Sequence, residues 1–311
     1  MLSRRNIRVK VMQTLYSLES ANNELVKNEL DKILDLNLDH IRKLLSYLVY
    51  HLIEIARFAE KDALHKANRH LPSSRDLNVN IKIAGNEVIW SLLENESFKK
   101  AIEDYKIKFL IDEEIVQKSF SRLILSDVYN KYVHLQSRDK KGEREMLEYI
   151  FSEFMIDNED FISDVEEKFI HWDDDAETAI MLMNLLLQKP ATFNFNEIVG
   201  KEKNEFASEL LHSVIEKNDY CLELIKPKLK NWDAERIAAL DMILMKMGVC
   251  ELLYFETIPP KVTINEYIDL AKEYSTPQSG HFINGLLDNI HKELLLENKI
   301  HKTNFKNSFL K

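Results

Sequence analysis

The sequence predicts an all-α protein, and three observations carry that expectation. Gly and Pro number six each in 311 residues, against average usages of roughly 7% and 5%. Strands joined by tight turns consume both residues, so their scarcity argues against an all-β sandwich or barrel and against Gly-rich phosphate loops. Apolar residues make up 45% and charged residues 30%, which permits a sizeable core and argues against global disorder. Long stretches also repeat apolar residues every three or four positions, the period of a helix buried along one stripe.

Residues 4–20 read as a first helix, with Ile7, Val11, Leu15 and Leu18 on one stripe. Residues 38–69 form a long one through Ile41, Leu44, Leu45, Leu48, Leu52 and Ile55, and Leu71-Pro72-Ser73-Ser74 stops it. Residues 73–86 are the weakest for helix. Val79, Ile81 and Ile83 alternate with polar residues there, which suits a short strand or an extended loop. Helical patterns resume over 87–105, 112–136 and 143–156. A loop with Lys189-Pro190 spans 188–196. Further helices are predicted over 201–217, 219–229, 233–256, 264–274 and 279–296.

Net charge is −10, from 42 bases and 52 acids. Taken alone it disfavours a nucleic-acid partner, but the charge is unevenly spread. Asp157–Glu177 holds ten acids and one base, Lys168. That window is either a solvated helix face or a patch that repels polyanions and attracts a basic protein. The first 18 residues hold Arg4, Arg5, Arg8 and Lys10 and no acid, and the tail beyond Asn289 is rich in lysine.

Cys221 and Cys250 make neither a CxxC pair nor a disulfide framework and sit on apolar stripes, as buried core thiols do. The longest apolar run, Ala179–Leu187, is broken by Asn184 and falls short of the roughly 18 residues of a membrane span. Lys10 and Gln13 interrupt any signal-peptide core. The expectation is a soluble, cytoplasmic protein with no membrane partner. No HExxH, Walker loop, GxGxxG or GxSxG is present. Asp173-Asp174-Asp175 lacks the Gly and distal Glu of a calcium loop and reads as an acidic helix start. No metal, no cofactor and no catalysis are expected.

The chain echoes itself. Residues 145–187 overlay 205–247 at an offset of 60 without a gap, and Trp172-Asp173 meets Trp232-Asp233. Apolar positions coincide too, as Ile150 with Leu210, Phe154 with Val214 and Val165 with Ile225. Six identities in 43 positions fit either a duplicated helical unit or the shared period of two hairpins. Each Trp-Asp reads as a packed aromatic followed by an N-cap carboxylate.

Arg4, Arg5, Arg8 and Lys10 stand at the positive end of the first helix dipole, so local stability does not account for them. Arg4 and Arg8 are four apart and project from one face. Forked guanidinium donors there suit phosphates and unstacked bases, while an exposed solubilising terminus is the plainer alternative. Further on, Pro259-Pro260 ends one helix, and Thr263 with Glu266 is spaced as a capping box for the next. Gly285 lies in a helical period and predicts a close helix–helix contact.

The stretch Arg4-Arg5-Asn6-Ile7-Arg8-Val9-Lys10-Val11-Met12-Gln13-Thr14-Leu15-Tyr16 resembles the opening helix of the transcription antitermination factor NusB. The C-terminal stretches 251–254 (ELLY), 258–266 (IPPKVTINE), 270–272 (LAK) and 279–288 (SGHFINGLLD) resemble the second half of that family. The resemblance covers about residues 3–20 and 195–295.

It implies two small helical bundles that bind the single-stranded boxA element of ribosomal RNA leaders together with NusE, inside the RNA polymerase antitermination complex. By position it assigns RNA contact to Arg4, Arg5, Arg8 and, on the same basic helix, Lys10, with Lys272, Gln278 and Phe282 completing the RNA face. Asp241 falls at a position that is acidic in the family, near the NusE-facing surface. The domain expectation is a first helix at 1–20, a helical insertion at 21–194 with partial duplication as one of its two readings, the rest of the NusB-like domain at 195–296, and a basic tail at 297–311. Asn6 stands where the family commonly has another Arg. Two other classes remain: an interaction-only helical scaffold that has lost RNA binding, and the RNA-binding part of an rRNA methyltransferase system.

Overall fold

The computed structural model describes residues 2–20, 27–71, 73, 79–229 and 237–303. Among them there is no strand, and no helix is long and apolar enough to cross a membrane. The chain divides into two compact units: Asp39–Ile198, and Leu2–Leu38 with Val199–Lys311. Helix α1 is Arg4–Ser20, and α2 is a 41-residue helix, Lys27–Ala67, which contributes to both. It starts earlier than its predicted 38. Leu30, Leu34 and Leu38 extend its buried stripe at fourfold spacing.

The unit of Asp39–Ile198 continues with α3 (Glu87–Glu94), α4 (Glu96–Asp104), α5 (Glu113–Leu123), α6 (Asp127–His134), α7 (Lys140–Phe151), α8 (Glu159–Lys168) and α9 (Trp172–Gln188). Two predicted long helices are split by short polar side chains. Asn95 accepts from the Phe98 N–H and Ser126 from the Tyr129 N–H, so each caps a new helix in place of continuing the old one. Between 79 and 86 the strand-like alternation yields only a 3₁₀ turn at Lys82–Gly85. Trp172 is itself the first residue of α9, so Asp173 is not its N-cap. Asp173, Asp174 and Asp175 fill the first turn, where the helix dipole favours carboxylates. Trp232-Asp233 lies outside the described residues. The core holds Tyr47, Leu48, Phe98, Phe120, Phe161, Phe169 and Leu182. His51 is buried against the rings of Tyr47 and Phe161, at centroid distances of 5.7 and 4.7 Å.

The second unit packs α1 with α10 (Lys201–Glu216), α11 (Asn218–Ile225), α12 (Ala239–Tyr254), α13 (Pro260–Tyr274) and α14 (Ser279–Leu296). Helix α12 is apolar on nearly every face, as a helix surrounded by α1, α10, α11, α13 and α14 must be. Its Gly248 is the close contact. A Cβ there would lie 2.8 Å from Leu287 Cδ1 and 3.3 Å from Tyr267 Cδ2. Gly285, where that contact was expected, has nothing within 4 Å of a Cβ.

The capping box expected at Thr263 and Glu266 is also absent. Helix α13 begins at Pro260 with Pro259 as N-cap, because proline at the first helical position forfeits no hydrogen bond. Thr263 and Glu266 are therefore already inside the helix. A capping pair occurs instead at the start of α1. Ser3 Oγ accepts from the Asn6 N–H (3.1 Å), and Asn6 Oδ1 accepts from the Ser3 N–H (3.0 Å).

The offset of 60 extends to helix boundaries. Helical geometry ends at Ile156 and restarts at Glu159 in one unit; it ends at Glu216 and restarts at Asn218 in the other. Ile150, Phe154, Val165 and Phe169 are buried, and so are their counterparts Leu210, Val214, Ile225 and Leu229.

Candidate nucleic-acid interface

Three elements of the second unit build the site: the first turns of α1, the end of α13 and the start of α14. Arg5 marks where two of them meet, since its Nη2 lies 2.5 Å from Glu273 Oε2 near the end of α13. Arg4 pairs with Glu202 on α10 at 2.8 Å, and its guanidinium lies over the Phe206 ring at 5.7 Å. Both arginines remain accessible, at 41% and 36% side-chain exposure. Surface ion pairs of this kind are worth about 0–1 kcal/mol, so a phosphate can displace the carboxylates.

Arg8 is a different case. It is 2% exposed, and its Nε and Nη2 donate to Glu251 Oε2 and Oε1, each at 2.8 Å. Nη1 donates to Glu266 at 3.1 Å. Glu251 is fully buried and also accepts from Thr263 Oγ1 (2.8 Å) and the Tyr267 hydroxyl (3.1 Å). Burial works against the charged guanidinium, but the hydrogen bonds to Glu251, with Tyr267 and Glu266 nearby, outweigh it and raise the Arg8 pKa. Burial first, then the neighbouring Glu251, pushes the Tyr267 phenol well above its usual value.

Arg8 therefore joins α1 to α12 and α13 instead of facing a phosphate. Lys10 is buried as well. The sequence places both on a basic helix but does not say which side of that helix packs.

On α13, Lys272 is 59% exposed and pairs with Asp269 at 3.3 Å. Its alkyl stem crosses Gly280, where a Cβ would come within 2.8 Å of Lys272 Cγ. The glycine in SGHF thus leaves room for the stem and sets where the ammonium emerges. Gln278 is exposed as the N-cap of α14 and makes no side-chain capping bond, and Phe282 is half-buried. Asp241, expected near a partner surface, is 7% exposed. Its Oδ2 accepts from Ser279 Oγ at 2.8 Å, so it anchors the start of α14 to α12 from within. Ser279 Oγ also shares hydrogen bonds with Ser275 and Thr276, which brace the turn bearing Gln278.

The accessible set is thus Arg4, Arg5, Lys272 and Gln278, with Phe282 beside them. Among the described residues no group of three or more His, Cys, Asp or Glu is arranged to hold a metal.

Residues 173–292 match the model of the NusB family. The transcription antitermination protein NusB of Finegoldia magna is 43% identical over 94 residues, covering 30% of this chain and 69% of that protein. This chain belongs to the NusB family. The NusB of Thermodesulfovibrio yellowstonii is 37% identical over 129 residues, covering 38% of this chain and 85% of the relative. With the NusB of Salinibacter ruber the identity is 41% over 99 residues, covering 32% of this chain and 62% of the relative. No solved structure matches. The family match in this NusB member begins inside α9, ahead of the second unit's Val199.

Proposed function

We propose that this chain is a transcription antitermination protein. It binds boxA-type single-stranded RNA together with the ribosomal protein NusE and supports ribosomal RNA transcription in the cytoplasm, as part of the polymerase antitermination complex. It is a binding protein, not an enzyme. The observation that carries the reading is the closeness of Arg5 to Glu273, by which the basic start of α1 lies next to the end of α13 that bears Lys272 and leads into the Gln278 turn. Arg4, Arg5 and Lys272 hold phosphates, while Gln278 and Phe282 address bases. Arg8, Lys10 and Asp241 act from inside, by fixing the helices that present those groups. We read residues 21–194 as an insertion into the family's first interhelical link, whose last part, 173–194, already falls in the family match, and the offset of 60 supports its origin as a partial copy of the family's own unit.

The test is a titration of boxA RNA against a scrambled strand, with and without NusE. Three phosphate contacts to a single strand give a log–log salt slope of roughly −2. A slope near zero, or equal affinity for both strands with NusE present, would refute the reading.

One observation favours a second reading, a helical scaffold without RNA binding. Each accessible cation of the set has a carboxylate partner. Reversing the charge of Arg4, Arg5 and Lys272 together separates the two. Unchanged boxA affinity would favour the scaffold.

A further inference from the structure

Cys221 on α11 and Cys250 on α12 are both fully buried, and their sulfurs are 3.5 Å apart. They are 29 residues apart in sequence, so the fold alone brings them together. We propose that Cys221 and Cys250 are an oxidative modification site, a dithiol that closes to an intramolecular disulfide when the chain meets a peroxide.

Three features support it. The first is geometry: the sulfurs are in contact across two packed helices, and closing to a bond requires them to approach by only about 1.5 Å. The second is access. A cavity of about 530 Å³ is lined by Asn218 and Leu222, which flank Cys221 on α11, and by Lys246, whose backbone carbonyl is 4.0 Å from Cys221 Sγ. Neither cysteine lines that cavity and both are fully buried, so a peroxide molecule in it reaches Cys221 only when the packing around Asn218, Leu222 and Lys246 opens. The third is an asymmetry between the thiols. The hydrogen bond from Cys250 lowers the Cys221 pKa against the opposing effect of burial, and Lys246 adds to the lowering. The same hydrogen bond, together with burial, raises that of Cys250. The thiolate is the nucleophile in such chemistry.

The reaction balances in two steps. The Cys221 thiolate attacks one oxygen of hydrogen peroxide, the O–O bond breaks, and with one proton Cys221 becomes a sulfenic acid while water leaves. Cys250 then attacks the sulfenic sulfur, its thiol proton leaves with the hydroxyl as a second water, and the S–S bond forms. Two thiols are oxidised and one peroxide is reduced. The product staples α11 to α12 beside Glu251, the residue that holds Arg8. It stands apart from the RNA reading, because neither cysteine belongs to the accessible basic set.

The test uses the full chain, folded and freed of reductant. It is exposed to hydrogen peroxide, quenched, unfolded, and alkylated with N-ethylmaleimide. The expected result is a fall from two alkyl adducts to none, an intact mass lower by about 2 Da before alkylation, and a peptide joining Cys221 to Cys250. Dithiothreitol restores both adducts. In C250S, dimedone traps a sulfenic acid on Cys221, whereas in C221S the remaining Cys250 resists peroxide. Two adducts persisting in the folded chain, while the same dose oxidises the guanidinium-unfolded chain, would overturn the proposal. So would disulfides formed only between chains, or dimedone labelling confined to Cys250.

Discussion

Arg8 and Glu251 form a bidentate ion pair inside the helical unit, 243 residues apart in sequence, with two hydrogen bonds of 2.8 Å and almost no solvent contact. Removing two charges from water costs several kcal/mol per ion, and only near-ideal geometry with extra hydrogen bonds offsets that. Thr263 and Tyr267 supply the extra bonds. Arg8→Ala leaves Glu251 buried without its charge partner. We expect a loss of about 3–5 kcal/mol in unfolding free energy, measured by urea denaturation. R8M/E251L removes both charges and should recover most of the loss. A single mutant as stable as the parent would show that the pair is not the anchor.

The two glycines of α12 and α14 should respond in opposite directions. Gly248→Ala pushes a methyl into Leu287 and Tyr267, and overpacking of this kind costs about 1–3 kcal/mol. Gly285→Ala meets open space in mid-helix and should stabilise by up to about 1 kcal/mol. Thermal melts of the two variants decide it. Equal shifts would contradict the packing described.

His51 makes stability depend on pH. Burial lowers its pKa from 6.5 to about 4, with Asp164 and Asp112 opposing and Lys168 adding to the shift. Neither ring nitrogen has a hydrogen-bond partner among the described residues. The unfolded chain therefore binds a proton between pH 6.5 and 4 that the folded chain does not. The stabilisation is complete above pH 6.5 and is lost as pH falls towards 4, up to about 3 kcal/mol. His51→Phe should flatten that part of the stability–pH curve. Parallel curves for parent and variant would remove His51 as the cause.

Glu273 restrains Arg5, so neutralising it should help RNA. Glu273→Gln is expected to tighten boxA binding several-fold and to steepen the log–log salt slope by up to about 0.7, the contribution of one more phosphate contact. Filter binding across a salt series measures both. Weaker binding would mean that the pair positions Arg5 and does not merely occupy it.

The helical class and the limits of α1 and α14 were legible because apolar residues at helical spacing continue to each end. The exposed cations Arg4 and Arg5 were legible from the charge cluster. The burial of Arg8 was not, because its spacing from Arg4 identifies a shared face without saying what covers it. One signal does point there: Glu251 sits in the otherwise apolar run MGVCELLY, and a carboxylate at such a position requires a cationic partner. Thr263 and Glu266 misled for a related reason. The same S/T-x-x-E spacing occurs inside a helix, and Pro260 had already begun this one. Gly248 was the better candidate for a close contact than Gly285, since it is flanked by Met247 and Val249 on a helix with almost no polar side.

Helix α2 supplies residues to both compact units without a break between Leu38 and Asp39. Any truncation meant to isolate one unit must sever that rod in mid-course. The severed ends would strand about four amide protons on one fragment and four carbonyl oxygens on the other. Dissection of the protein therefore calls for surface substitutions in the full chain, with both units carried along intact.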